Sequence, residues 1–287
     1  MESSRAAKGQ GEGRGGMRRV MVGIVLACLS LAVFAADGKG DRTEPFPSRL
    51  LGRSIQIALH VPQLPPVQEG RLVLVLPGAF DGPGDFIDQG IFRELGRMER
   101  EGRIRPALWV AVAHHRSWYA DRKDGTFPFE RFLIEELMPD LERRFPAYGG
   151  QPGRRSVAGL SMGGFGALNL AGRTALFSRC LALSPALVTP PFKNAGWLLG
   201  MSLRRTFAED PVAFAPWNPW EHLGGKCELR MVCGLQDKYG LAQACRDFQA
   251  RCQRQGRPMG LELSEGGHAW SYWTPEFLRL AAWLNGN

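Results

Sequence analysis

The chain reads as an α/β protein whose central sheet is mostly parallel and covered by helices on both faces, with an irregular insertion near residues 185–223. Three observations predict this. The runs at 72–76 and 106–113 are continuously apolar, as strands buried on both faces must be. Stretches with apolar residues at helical spacing lie between such runs, so strands and helices alternate and neighbouring strands are joined by crossovers. The 287 residues, 44% hydrophobic and 22% charged, suffice for one domain with a sizeable core, which we place at residues 51–287.

Residues 1–16 are Gly-rich and charged with no apolar pattern, and read as a disordered or misassigned extension ahead of a start at Met17. Met17-Arg18-Arg19, the apolar run at 20–34 and Val33-Phe34-Ala35 before Ala36 have the layout of a signal peptide over 17–35. An exported protein, periplasmic or secreted, is therefore expected. The run is shorter than the ~20 residues of a spanning helix, so no membrane span remains after cleavage. An uncleaved anchor, a lipoprotein at Cys28 and twin-arginine export through Arg18-Arg19 are the other readings. Residues 36–50, polar and Pro-containing, read as a linker.

Alternation over 54–61 predicts the first strand, with His60 on its polar phase and so at the surface. The strand at 72–76 ends in Pro77-Gly78-Ala79-Phe80-Asp81, a loop flexible enough to aim backbone N–H groups into a site. A helix over 85–102 and a strand over 106–113 follow. The loop after that strand carries Trp118 and Tyr119, which we take as substrate contacts because ligands bind at the carboxyl ends of parallel strands. An amphipathic helix over 129–145 should kink at Pro139. Beyond a strand at 180–184, the aromatic insertion reads as a lid or binding wall. Strands at 229–233 and 259–263, a helix over 241–255 and a closing helix over 272–284 complete the domain.

The formal net charge of +8 includes +3 from the first 35 residues, and the remainder is spread along the chain. No dense Lys/Arg block interleaved with aromatics appears, so nucleic-acid binding is unsupported. Behind Cys28 lies an odd set of cysteines: Cys180, Cys227, Cys233, Cys245 and Cys252. Cys227 and Cys233 on one strand, and Cys245 and Cys252 on one helix, are too far apart to bridge, so any disulfide must join different elements. No His/Cys cluster has metal-ligand spacing, and neither a metal nor a cofactor is expected.

The chemistry concentrates in Gly159-Leu160-Ser161-Met162-Gly163, a G-x-S-x-G between an apolar run of strand length and a small-residue helix. A sharp strand-to-helix turn there would hold the serine Oγ clear of the backbone, beside helix amides that favour developing negative charge. Two later strands end in loops carrying Asp237 and His268, so the order is Ser161, Asp237, His268. The carboxyl ends of parallel strands share one edge, where such residues converge. An imidazole makes a serine hydroxyl nucleophilic, and a carboxylate fixes the imidazole's tautomer. Glu209, Asp210 and Glu265 compete with Asp237, but the first two lie in the insertion and Glu265 is too near His268 in the chain. Trp270, beside His268, is a further candidate substrate contact.

At these residues the chain resembles the esterase D family of α/β-hydrolases, which includes S-formylglutathione hydrolases, feruloyl esterases, enterochelin esterases and the antigen 85 mycolyltransferases. The resemblance rests on Gly159-Leu160-Ser161-Met162-Gly163-Gly164-Phe165-Gly166-Ala167, Cys233-Gly234-Leu235-Gln236-Asp237 and Gly267-His268-Ala269-Trp270-Ser271-Tyr272-Trp273. It covers the chain from about residue 50 to the end and implies the α/β-hydrolase fold. It also implies an oxyanion hole from the amides of Met162 and Ala79, with Phe80 as the alternative donor. Pro77-Gly78 departs from the His-Gly often found in the family at this point. The expectation is an exported serine esterase acting through an acyl-enzyme on a small-molecule or carbohydrate-linked ester, with a carbohydrate or phenolic ester in view. An acyltransferase of the antigen 85 type and a non-catalytic binding module on a hydrolase scaffold are the alternatives.

Overall fold

Continuously apolar runs become strands with a core on each side. The computed structural model describes residues 39–286 apart from 65, 67–69, 193–195, 208, 224 and 258, so the expected signal segment and the extension before it lie outside the described residues. The first half of the fold runs β1 (Gly40–Ser48), β2 (Arg53–Val61), β3 (Arg71–Leu76), α1 (Asp85–Asp88), α2 (Ile91–Arg100), β4 (Ala107–Val112), α3 (Phe129–Arg131) and α4 (Met138–Arg144). The second half runs β5 (Arg155–Leu160), α5 (Met162–Arg173), β6 (Arg179–Leu183), α6 (Gly196–Thr206), α7 (Pro211–Phe214), β7 (Glu228–Gly234), α8 (Leu241–Arg254), β8 (Gly260–Ser264) and α9 (Trp270–Leu284).

The strands form one eight-stranded sheet in the order β1-β2-β4-β3-β5-β6-β7-β8. The pairs β1–β2 and β2–β4 are antiparallel, and every pair from β4 through β8 is parallel. Residues along β3 alternate between two cores: Leu72, Leu74 and Leu76 pack with the α4, α5 and α8 side, while Val73 and Val75 pack with α2 and α9. β5 is central. Its last residues pair with Leu76 of β3 on one side and Leu183 of β6 on the other, so three strand ends lie level around Ser161.

Four expectations need correction. Residues taken as a linker, 40–48, form the edge strand β1, where Pro45 and Pro47 are tolerated because an edge strand need not donate from both sides. The helix expected over 85–102 is two, α1 and α2, broken at Gly90, whose φ of 72° lies in the left-handed region. The helix over 129–145 contains a π-helical segment at Phe132–Leu137, directly before Pro139, which has no N–H to continue the α-helical ladder. The insertion holds the eleven-residue helix α6, so it is only partly irregular. As expected, Cys245 and Cys252 share α8, but Cys227 lies just outside β7, and all five described cysteines are free and buried.

His60 is also not at the surface: it is 4% exposed. Alternation along β2 assigns it a face but cannot show that α2 covers that face. Its Nδ1 lies 2.6 Å from Asp41 Oδ1 and its Nε2 3.2 Å from Glu99 Oε2. Burial lowers its pKa, but the two carboxylates outweigh burial and raise it to about 9. A folded-state pKa raised above the unfolded value means the imidazolium stabilises the fold fully below the unfolded pKa near 6.5, and that this is lost as pH rises through about 9. The stability gap between wild type and His60→Gln should therefore narrow by up to about 3 kcal/mol between neutral pH and pH ~10. Urea melts across that range check it, and a constant gap would refute the assignment.

Candidate active site

Ser161 stands at the turn from β5 into α5 with φ 54° and ψ −111°, a region that non-glycine residues rarely occupy. Such strain costs about 1–3 kcal/mol and persists only where neighbours over-determine it. Here they do: the Ser161 amide donates to Leu183 O at 2.9 Å, and the Ser161 carbonyl accepts from the amides of Ala186 and Phe165 at 2.9 and 3.1 Å. The turn also needs its glycines. A Cβ on Gly163 would lie 1.8 Å from Leu76 O, and one on Gly159 would lie 2.1 Å from Gly163 O.

The structure brings the three predicted residues together. His268 Nε2 is 3.0 Å from Ser161 Oγ, and His268 Nδ1 is 2.7 Å from Asp237 Oδ2. A hydroxyl donating to Nε2 and an Nδ1–H donating to a carboxylate require the same neutral tautomer, so the two contacts are mutually consistent. Asp237 is buried, which raises its pKa. The bonds from His268, the Tyr239 amide and Ser184 more than offset this and hold the carboxyl below its usual range. Asp237 is thus ionised. The imidazole is braced edge-on by Tyr239 and Trp273, each with its ring centre 4.8 Å away.

Ser184 was not anticipated. It follows β6 with φ 41°, its hydroxyl accepts from Trp273 Nε1 at 3.2 Å, and it supports the Asp237 carboxylate. The only sequence signal was its place at a strand's carboxyl end next to Pro185.

The Pro77–Asp81 loop lies beside Ser161, as β3 pairs with β5. Met162 is the first residue of α5, so its amide has no intrahelical acceptor and is free to face the site. Among the described residues, the amides of Ala79 and Phe80 make no backbone hydrogen bond either, which keeps both candidate donors open. Three side chains clamp this loop. Tyr119 Oη donates to Pro77 O at 2.8 Å, His114 Nε2 to Asp81 O at 2.8 Å, and Trp270 Nε1 to Asp81 Oδ1 at 2.9 Å. His114 is neutral, since burial lowers its pKa to about 4, and its Nδ1 accepts from the Arg116 amide.

Two candidate substrate contacts are therefore corrected. Tyr119 is fully buried and Trp270 directs its indole N–H to Asp81, so both position the loop. Sequence position placed them at the right edge of the sheet but not the direction of their side chains. Trp118 does line the cavity beside Ser161, with its Nε1 donating to Ser202 Oγ at 3.0 Å. That cavity has a volume of about 850 Å³ and is walled by Phe80, Val188, Phe192, Trp197, Leu199 and Tyr239, with Lys238 the one charged residue among the described residues that line it. Removing the Tyr119 hydroxyl leaves the Pro77 carbonyl unpaired in the interior and frees the loop. Tyr119→Phe should lower kcat by about tenfold with less change in KM, as expected when a positioned amide drifts. An equal kcat in steady-state assays would show that the clamp does not act on the reaction.

Residues 48–284 match the model of the family described as Putative esterase. The chain belongs to this esterase family. Among individual proteins, the esterase is similar to an acetyl esterase of Caldicellulosiruptor saccharolyticus, 26% identical over 207 residues that span 66% of this chain and 75% of that protein. Its fold is that of a ferulic acid esterase structure (TM-score 0.71, 19% identity, 85% of this chain and 96% of the other). It is also that of an S-formylglutathione hydrolase from Staphylococcus aureus (TM-score 0.73, 18% identity, 86% and 99%). These likenesses identify the sheet and its helices as an α/β-hydrolase fold.

Proposed function

We propose that this esterase is an exported serine hydrolase that cleaves a carboxylic ester through an acyl-enzyme. The observation that carries the reading is the continuous chain Ser161 Oγ, His268, Asp237, with contacts of 3.0 and 2.7 Å. Ser161 Oγ attacks the ester carbonyl carbon while its proton passes to His268 Nε2. Asp237 keeps the imidazole oriented and stabilises the imidazolium. The carbonyl oxygen, now an oxyanion, is bound by the amides of Met162 and of Ala79 or Phe80. His268 then returns the proton to the leaving alcohol oxygen as the C–O bond breaks. Water repeats the sequence on the acyl-enzyme, giving its proton to His268 and releasing the acid with Ser161 restored.

The aromatic and aliphatic lining favours an apolar or phenolic group next to the ester over a bare acetylated sugar. The relatives' names, acetyl esterase and ferulic acid esterase, bracket the same chemistry. A panel of para-nitrophenyl acetate, butyrate and octanoate, methyl ferulate and acetylated xylose tests it. Turnover of the butyrate or ferulate ester above acetylated xylose is expected; no turnover of any member would contradict the reading. Export is tested by fractionating cells that produce the full chain: the mature protein should lie outside the cytoplasm, shortened to begin near Ala36.

A further inference from the structure

A second cavity opens along α6, next to the one containing Ser161. It has a volume of about 500 Å³ and is lined by Arg116, Arg122, Arg204 and Arg205, with His115 and Ser202 between them. The two cavities share Leu198 as a wall. They are joined twice more: Trp118, which lines the first, is hydrogen-bonded to Ser202, which lines the second. The Arg116 guanidinium lies 5.8 Å from the ring centre of Phe80, beside the candidate oxyanion amides.

The charge here is largely uncompensated. Arg204 has Glu209 at 3.7 Å, but among the described residues Arg116, Arg122 and Arg205 have no carboxylate within ion-pair distance. The nearby Asp124 carboxylate accepts from the Thr126 amide and hydroxyl. Arg122 is held in place, its guanidinium 4.6 Å from the centre of the Phe127 ring, yet its buried Nε has no hydrogen-bond partner. A buried donor without an acceptor is costly unless a ligand supplies one. The loop that presents Arg116 is strained, with His115, Arg116, Trp118 and Tyr119 all at positive φ.

We infer that this basic cavity is an anion subsite of the same active site, so that the substrate is an ester bearing a phosphate, sulfate or carboxylate beyond its apolar portion. This rests on the serine-esterase reading and deepens it. Planar guanidinium groups bind such oxyanions in a fork, and two or three converging on one cavity would hold the charged end while the apolar part fills the space beside Ser161.

Two matched pairs of soluble esters test it, covering either side of the scissile bond: para-nitrophenyl hexanoate against the para-nitrophenyl monoester of adipic acid, and phenyl hexanoate against its para-sulfonate. In at least one pair kcat/KM should favour the anionic ester by about tenfold, as for a single charged hydrogen-bond set. Arg122→Gln and Arg205→Gln should bring that ratio toward one, and high salt should do the same. Arg279→Gln, which removes an equal charge from the solvent-facing side of α9, should leave it. Ratios of one in both wild-type pairs, with the esters turned over, would overturn the subsite and leave the esterase reading standing. The same ratios with Arg205-dependent sedimentation on phosphatidylglycerol vesicles would assign the arginines to a lipid surface instead. No turnover of any ester and no fluorophosphonate labelling would remove the esterase reading and the subsite with it.

Discussion

Ser161→Ala should lower ester hydrolysis by about ten-thousandfold or more while leaving the protein folded. The loss is large because no other hydroxyl takes its place. His268 Nε2 is 3.0 Å from Ser161 Oγ, while Ser184, after the neighbouring strand β6, is committed to Trp273 and Asp237, and Ser264, at the end of β8, is hydrogen-bonded to Tyr272. Stability should hardly change, because the strained turn is fixed by the backbone bonds of Ser161, which alanine keeps. Initial rates on para-nitrophenyl butyrate and a thermal melt separate the two effects. A variant that retains a tenth of wild-type activity would point to a nucleophile elsewhere.

Gly163→Ala should damage both fold and activity. The added Cβ would meet Leu76 O at 1.8 Å and Pro77 O at 2.7 Å, both backbone atoms of a central strand and its loop, which cannot swing aside as a side chain can. Either α5 retreats from β3 or the Pro77 loop moves, and each separates Met162 from the opposing amide. A loss of about 3 kcal/mol in stability is expected, in the range of severe overpacking. Any folded fraction should show kcat lowered by about a hundredfold, because the reacting groups no longer converge. Wild-type stability would mean that the approach of helix to strand is less constrained than the geometry requires.

The triad-like arrangement was legible because it depends on features that sequence carries directly. Apolar runs mark the strands, and Ser161, Asp237 and His268 each follow one. Parallel pairing then brings those ends to one edge without any knowledge of side-chain packing. What supports the arrangement was not legible. Tyr119 and Trp270 stood in the right loops, but whether a side chain turns to a cavity or to a carbonyl depends on contacts between loops far apart in sequence. Ser184 is one small residue whose positive φ no local pattern announces. Edge strand β1 escaped for a related reason: with one side unpaired and one face wet, its sequence is polar and tolerates proline, so it resembles a linker. The same limit applied to His60, whose ion pairs come from β1 and α2 together.

The most direct test of the central claim is covalent. The full chain, treated with a fluorophosphonate and examined by intact mass and peptide mapping, should carry a single adduct, on the peptide containing Ser161, and Ser161→Ala should carry none. An adduct on another residue, or equal labelling of Ser161→Ala, would contradict the account.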